Sequence, residues 1–257
     1  MIAVAQRMPV AGCRYLKKNL QIVRSRYDAY HAACGNPFAP TAPQPLKMKG
    51  KLQKALLCRY ETPSEQREFI KTIRHLVSPD VCPMCGGGYP STTDHVFPRS
   101  IFKELAIYSK NLVPACSCNI NRSNIYMGVN PGERVLHPYY DSRMDERLVR
   151  ASICSYDNSY RTPIITLELV IPTSDSLYSA VKFHVEKVIL QTNILNTLGK
   201  LWSNFQRSKN GVLNPLGDIF TDDDFDQVVS DALDSADAEF NSRNSWKSIL
   251  LSFWFGC

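Results

Sequence analysis

Two pairs of cysteines, about thirty residues apart, have the spacing of zinc ligands. Cys82 and Cys85 enclose Pro and Met and precede three glycines, which allow the positive φ angles of a tight metal-binding turn. Cys116 and Cys118 would complete a site of four thiolates, whereas a lone CxxC pair could equally be redox-active. Only Ser117 separates the second pair, so one of its two thiolates need not be a ligand. The four cysteines predict a structural zinc site without an open coordination position for catalysis.

An adjacent carboxylate and imidazole, Asp94 and His95, lie between the two cysteine pairs. A carboxylate can bind a hard divalent cation such as Mg²⁺, and a neutral imidazole can take a proton from water. Neighbouring side chains on a strand face opposite ways, so both reach one substrate only at a bend or bulge. Taken alone, such a dipeptide is more often an ordinary surface or core pair than a catalytic one.

The surrounding segment, residues 80–123, resembles the HNH (ββα-metal) endonuclease family. The family pattern is CxxC, DH[IV]xP, NLVP and CNxx[KR], and the sequence has CPMC, DHVFP, NLVP and CNINR in that order. The resemblance covers roughly a sixth of the chain. It implies a ββα-metal core, a hairpin followed by a helix, that binds at the minor groove and cuts one DNA strand per site without base readout. We therefore expect an α+β fold and a hydrolase that acts on phosphodiester bonds.

The resemblance also implies a role for each matched residue. His95 corresponds to the general base, and Asp94 and Asn119 correspond to the ligands of one catalytic Mg²⁺ or Mn²⁺. Asn111 corresponds to the asparagine that ties the loop between the two strands and keeps the base oriented. Asn121 is a rival to Asn119, but its side chain should point about 200° around the helix, away from the site.

Basic residues near this segment are candidates for binding phosphate. Residues 1–75 have 14 Lys and Arg against 4 Asp and Glu, which suits a nucleic-acid partner, although a solvated helix face needs no partner. Arg122 follows Asn119 by three residues and shares its helix face, so it could contact phosphate or be a simple surface cation. The predicted nucleic-acid-binding residues are Arg122, Arg99, Lys47, Lys49, Lys51 and Lys54.

The flanking regions are predicted to be mainly helical around this core. Residues 1–75 form a basic helical region with a proline-rich linker at 35–45, residues 76–130 form the HNH core, and residues 131–257 form a mainly helical region with one or more strands. In the last region, 164–171 reads as a strand and 176–207 as one long helix. An acidic helix is expected from Thr221 to Phe240, before an aromatic tail.

Composition limits the classes of protein that remain. The 257 residues are 44% hydrophobic without an apolar run that could span a bilayer, and the nine cysteines are an odd number, so we expect a cytoplasmic protein without membrane contact. Family analogy suggests an effector of bacterial anti-phage defence or restriction that works beside an ATPase partner. The acidic helix and the tail could dock such a partner or pack within the chain. The alternative to a nuclease is a catalytically inactive zinc-stabilised module that binds nucleic acid or protein.

Overall fold

The computed structural model describes residues 18–47, 50–61, 72–73, 80–157, 162–207 and 224–255. Within them the chain is mixed α/β, with two small antiparallel sheets and helices around them. Part of the predicted basic helical region falls outside these residues, as do Lys49 and Thr221, where the acidic helix was expected to begin. None of the helices in the described ranges has the length and apolar composition needed to cross a bilayer.

The N-terminal helices α1 (Leu20–Ala32) and α2 (Gly50–Glu61) meet in a small apolar cluster, and both contact the short turn at Lys103–Leu105. Val23 of α1 meets Leu56 of α2 in this cluster, and Tyr30 is fully buried against the main core. Residues 35–45 join the two helices through turns and irregular backbone, as four prolines in eleven residues require.

The first sheet is a hairpin of β1 (Thr92–His95) and β2 (Leu112–Ala115), followed at once by helix α3 (Cys118–Arg122). Thr92 pairs with Ala115 and Asp94 with Val113 in the antiparallel register. Residues 96–111 connect the strands through two short 3₁₀ turns, Lys103–Leu105 and Ser109–Asn111. The element order from β1 to α3 is the hairpin-and-helix order that we expected, and the four cysteines lie around it.

The second sheet is a longer hairpin of β3 (Val149–Asp157) and β4 (Thr162–Leu169). The predicted strand at 164–171 corresponds to β4, displaced by two residues toward the N-terminus. Its partner β3 was missed, although Val149, Ala151 and Ile153 alternate with Arg150 and Ser152 as in a half-buried strand.

The predicted single helix at 176–207 is wrong in one respect, because the structure divides it. Helix α4 (Tyr178–His184) continues into a π-helical turn (Val185–Ile189), and α5 (Ile194–Arg207) begins after a break. The Thr192 hydroxyl donates to the Ile189 carbonyl and accepts from the Ile194 N–H, so a side chain takes over the backbone bonding and the helix restarts.

The C-terminal segment packs within the chain. Helix α6 (Phe225–Glu239) is followed by α7 (Trp246–Leu251) and a 3₁₀ turn (Ser252–Phe255). The ring of Trp254 stacks on that of Trp202 in α5 at 5.5 Å. The aromatic tail was expected either to dock a partner or to pack within the chain, and in the structure it packs within the chain.

Candidate metal centre and catalytic pair

The four predicted cysteines come together around the first hairpin. Their sulfur atoms all lie within 4.8 Å of one another, with Cys82 Sγ 3.6 Å from Cys118 Sγ and Cys85 Sγ 3.4 Å from Cys116 Sγ. A tetrahedral zinc site with Zn–S bonds of about 2.3 Å needs sulfurs about 3.8 Å apart. These four residues can therefore hold a metal such as zinc. Cys116 and Cys118 can both be metal ligands despite their close spacing, because Cys116 precedes α3 and Cys118 is its first residue.

Two of the cysteine sulfurs accept hydrogen bonds from backbone N–H groups. The N–H of Cys116 donates to Cys82 Sγ at 3.3 Å, and the N–H of Cys118 donates to Cys116 Sγ at 3.4 Å. Hydrogen bonds from the Cys118 and Cys82 thiols lower the pKa of Cys116, which favours the thiolate form that a metal requires.

Distant parts of the chain hold the first cysteine turn in place, and the sequence pattern did not predict them. The His184 Nε2–H donates to the Met84 carbonyl at 2.7 Å, and the Trp246 Nε1–H donates to the Cys85 carbonyl at 2.8 Å. Gly86 has a φ of +69°, and a Cβ there would lie 1.6 Å from the Asn244 carbonyl oxygen. Only glycine fits this close approach.

The imidazole of His95 is buried and has a defined tautomer. Its Nε2 lies 2.9 Å from the carbonyl oxygen of Ala106, which can only accept, so Nε2 carries the proton and Nδ1 keeps its lone pair. Burial lowers the pKa of His95 to about 4. The ring of Tyr60 packs edge-on against the imidazole at 4.7 Å between centroids. At neutral pH the residue is an uncharged imidazole with one basic nitrogen.

Asp94 lies on the other side of the strand from His95, in an ion pair with Arg122. The Arg122 Nε is 3.0 Å from Asp94 Oδ2, and Nη2 is 2.8 Å from both carboxylate oxygens. Arg122 also donates to the carbonyls of His95, Val96 and Ile125, and only 1% of it is exposed. The expectation of an Arg122 that contacts phosphate at the surface is therefore wrong, because its guanidinium is buried and fully used within the protein.

This ion pair lies along the free edge of β1. The N–H of Val96 bonds the Asn111 carbonyl across the hairpin, so the N–H and C=O of His95 point away from β2. The His95 N–H donates to Asp94 Oδ1 at 2.7 Å, and the His95 carbonyl accepts from Arg122. Asp94 and Arg122 thus satisfy an edge that no strand covers in the described part of the chain, while the His95 ring lies on the opposite face. The structure thus brings Asp94 and Asn119 to one face of β1 and directs the His95 ring to the other face.

Asn119 has a buried oxygen without a partner. Its Nδ2 donates to the Thr92 hydroxyl at 3.1 Å, which places it on the same face of β1 as Asp94. Its Oδ1 has no hydrogen-bond partner among the residues that the structure describes. Asn121 points elsewhere, as expected: it is exposed and donates to the Gln191 carbonyl at 2.7 Å.

Asn111 joins the two ends of the loop between the strands. Its Oδ1 accepts from the Phe97 N–H at 2.7 Å, and its Nδ2 donates to the carbonyls of Phe97 and Leu105. Leu105 precedes Ala106, whose carbonyl holds His95. The Tyr30 hydroxyl also donates to Asn111 Oδ1 at 3.0 Å and accepts from His137 Nε2 at 2.9 Å. Tyr30 and His137 were missed, because nothing in the local sequence links residues so far apart.

The predicted basic residues differ in how close they are to His95. The Arg99 guanidinium lies over the ring of Tyr60, 4.8 Å from its centroid, and Tyr60 in turn contacts His95. Lys51 and Lys54 are exposed on α2, and Lys47 is exposed just before it. Helix α2 thus reaches the imidazole through Tyr60, and its lysines lie one to three turns earlier on the same helix. Comparison with known proteins identifies no relative: no family model, no curated protein and no solved structure matches the chain.

Proposed function

We propose that the chain is a metal-dependent HNH endonuclease that hydrolyses phosphodiester bonds in DNA, with His95 as its general base. The observation that carries this proposal is the hydrogen bond between His95 Nε2 and the Ala106 carbonyl. It fixes the ring and its tautomer, and it leaves Nδ1 as the basic atom. A buried imidazole of lowered pKa is unprotonated at neutral pH, as a general base must be.

In this proposal His95 Nδ1 accepts the proton of a water as the water oxygen attacks phosphorus. The bond from phosphorus to the 3′ oxygen breaks, and the leaving oxygen takes up a proton from solvent. A positioned base of this kind contributes about 10²–10⁴ in rate. Asn111 acts as a positioning residue, because it fastens the loop that presents Ala106 to His95. Arg99 and the exposed lysines Lys47, Lys51 and Lys54 supply positive charge for the flanking phosphates, and Lys49 has the same role in this proposal.

The proposed ligands of a catalytic Mg²⁺ or Mn²⁺ are Asn119 and Asp94, and they fit the cation unequally. Asn119 Oδ1 is a buried acceptor without a partner, which suits a ligand of a hard cation. The Asp94 oxygens already accept from Arg122 and from the His95 N–H, so Asp94 must exchange one Arg122 hydrogen bond to bind a cation. When bound, the divalent cation would neutralise charge that develops on the phosphate oxygens.

The saturated Asp94 carboxylate favours a second candidate function. If Arg122 never releases Asp94, the chain is a zinc-stabilised module that binds nucleic acid or protein without cleaving it. The two functions differ in one observable, since only the first converts supercoiled plasmid to nicked circles.

A plasmid-nicking assay with added Mg²⁺ or Mn²⁺ tests the proposal. We expect the wild type to nick, and His95→Ala to lose at least about 10² of the rate at an unchanged melting temperature and zinc content. The matched control is His31→Ala, because His31 is exposed on α1 and contacts only Tyr140. A His95→Ala variant that cuts like the wild type would overturn the assignment of the base, and a wild type that binds DNA but never cuts would favour the module.

The wider role in this proposal is an effector of bacterial anti-phage defence or restriction with an ATPase partner. The aromatic tail is packed inside the chain, so the acidic helix α6 is left as the docking surface that we propose. A pull-down from the native host, with Asp231→Asn and Asp234→Asn as a charge-reduced variant, tests it. We expect an ATPase with the wild type and less of it with the variant.

A further inference from the structure

A groove lies between α5 and β4, and Ile165 of the main core is among the residues that line it. Its volume is about 610 Å³, and one wall is the polar face of α5. The opposite face of α5 is buried through Leu198, Trp202 and Phe205. This apolar face anchors the helix to the core, so the polar side chains of α5 that line the groove are not needed for that packing.

The groove wall is a stripe of amides and cations at helical spacing. Asn196, Lys200, Asn204 and Arg207 recur at intervals of three or four residues, so they share one face of α5. None of the described residues that line the groove is acidic. Within the described part of the chain, neither Lys200 nor Arg207 has a carboxylate partner. The stripe therefore offers hydrogen-bond donors and positive charge together, which is the chemistry that recognises phosphate.

The floor of the groove is apolar. Pro163 and Ile165 of β4 form it, on the face of the hairpin that turns toward α5. Glu168, the acidic residue of β4, is exposed on the alternate face and pairs with Arg150. A wall of cations above an apolar floor suits a nucleic-acid strand, whose phosphates meet the wall and whose sugars and bases meet the floor.

One end of the groove adjoins the proposed catalytic helix. Asn121 of α3 bonds the carbonyl of Gln191, and Asn193, the first polar residue of the groove, follows two positions later. From there the fourteen residues of α5 extend about 21 Å. Lys200 and Arg207 are two helical turns apart, about 10.5 Å, which corresponds to about three nucleotides of a strand at 3.4 Å each.

From these observations we infer that the α5 groove binds the backbone of the nucleic-acid strand that leaves the α3 site. This inference extends the proposed nuclease function, since it names a second contact with the same substrate. The groove acts by binding alone and takes no part in bond cleavage.

Binding of a short fluorescein-labelled DNA strand, measured by anisotropy without added divalent metal, tests the groove separately from cleavage. For Lys200→Gln with Arg207→Gln we expect an affinity loss of about tenfold, and a slope of log affinity against log salt that is smaller by about 1.4, since each phosphate contact with a single strand contributes about 0.7. The matching duplex and RNA strand identify the preferred form. Both substituted side chains are exposed, so the melting temperature should stay unchanged.

The matched control removes the same charge elsewhere. Arg150→Gln with Lys247→Gln changes two exposed cations that already pair with Glu168 and Glu239, and it should leave the salt slope as in the wild type. An unchanged slope in the groove variant would overturn the inference. Should the wild type bind this strand but never nick plasmid, while the groove variant binds weakly, the nuclease assignment fails and the groove remains.

Discussion

The guanidinium of Arg122 lies 2.8 Å from the carboxylate of Asp94, and the two side chains together cover the free edge of β1. Arg122 is fully buried, and 11% of the Asp94 side chain is exposed. The pair therefore joins α3 to the strand that carries His95. Its two roles are opposed, because the same contacts that hold the helix also occupy the carboxylate proposed to bind the cation.

Arg122→Gln should destabilise the protein by about 3–5 kcal/mol, because it leaves the Asp94 carboxylate buried without its counter-charge. The double variant Arg122→Gln with Asp94→Asn should lose less free energy of unfolding than the two single variants lose together. Urea denaturation measures both. The exposed pair Arg150–Glu168 is the control, since Arg150→Gln should cost less than about 1 kcal/mol. Equal losses at the two sites would contradict a structural role for Arg122.

The purified chain should contain about one zinc per molecule, and Cys85→Ser should lose most of it. Loss of a structural metal ranks among the most damaging changes, so we expect a cost above about 4 kcal/mol in the free energy of unfolding. Metal analysis and thermal melting provide the measurements. Cys34→Ser is the matched control, because Cys34 is an exposed free thiol outside the cluster. A Cys34 variant with the same zinc loss would argue against the four-cysteine site.

Tyr30→Phe should destabilise the protein by about 1–3 kcal/mol, because it removes two buried hydrogen bonds, to Asn111 and from His137, each worth about 0.5–1.5 kcal/mol. The nicking rate at saturating DNA should also fall, because Asn111 holds the loop that orients His95. Tyr89→Phe, at a site that is 53% exposed, is the comparison and should change neither quantity. A stable, fully active Tyr30→Phe variant would remove Tyr30 from the positioning network.

Acid should unfold the protein through its buried histidines. Burial lowers the pKa of His95, His137 and His184 to about 4, against about 6.5 in the unfolded chain. Between these values the unfolded chain binds more protons. The free energy of unfolding is therefore full above pH 6.5 and falls as the pH drops toward 4.

His184→Gln isolates one of these groups. A glutamine can accept from the Leu136 N–H and donate to the Met84 carbonyl, as His184 does, but it takes up no proton. In urea denaturation between about pH 4.5 and 7, the free energy of unfolding of the variant should fall less steeply with decreasing pH than that of the wild type. The difference in slope should correspond to about one proton fewer bound on unfolding. Zinc loss contributes equally to both proteins, so the difference reports on His184. An unchanged pH dependence would contradict the buried, neutral state of this ring.

The sequence by itself determined the parts of the protein that depend on local spacing. The CPMC turn, the strand at β4 and the apolar face of α5 follow from residue types a few positions apart, because turns, strands and helices repeat over that range. The expectation of a hairpin followed by a helix came instead from the family resemblance of the segment that contains Cys82, Asp94, Asn111 and Asn119.

Only the tertiary structure decided which side chains meet across the fold. Arg122 appeared to be a surface cation from its helical position, but its partner Asp94 lies 28 residues earlier and depends on how α3 crosses β1. The clamps on the cysteine turn, His184 and Trp246, come from 100 and 161 residues away. The break before α5 arises where the Thr192 side chain competes with backbone bonding. Such pairings depend on packing between elements, and spacing along the chain contains no record of it.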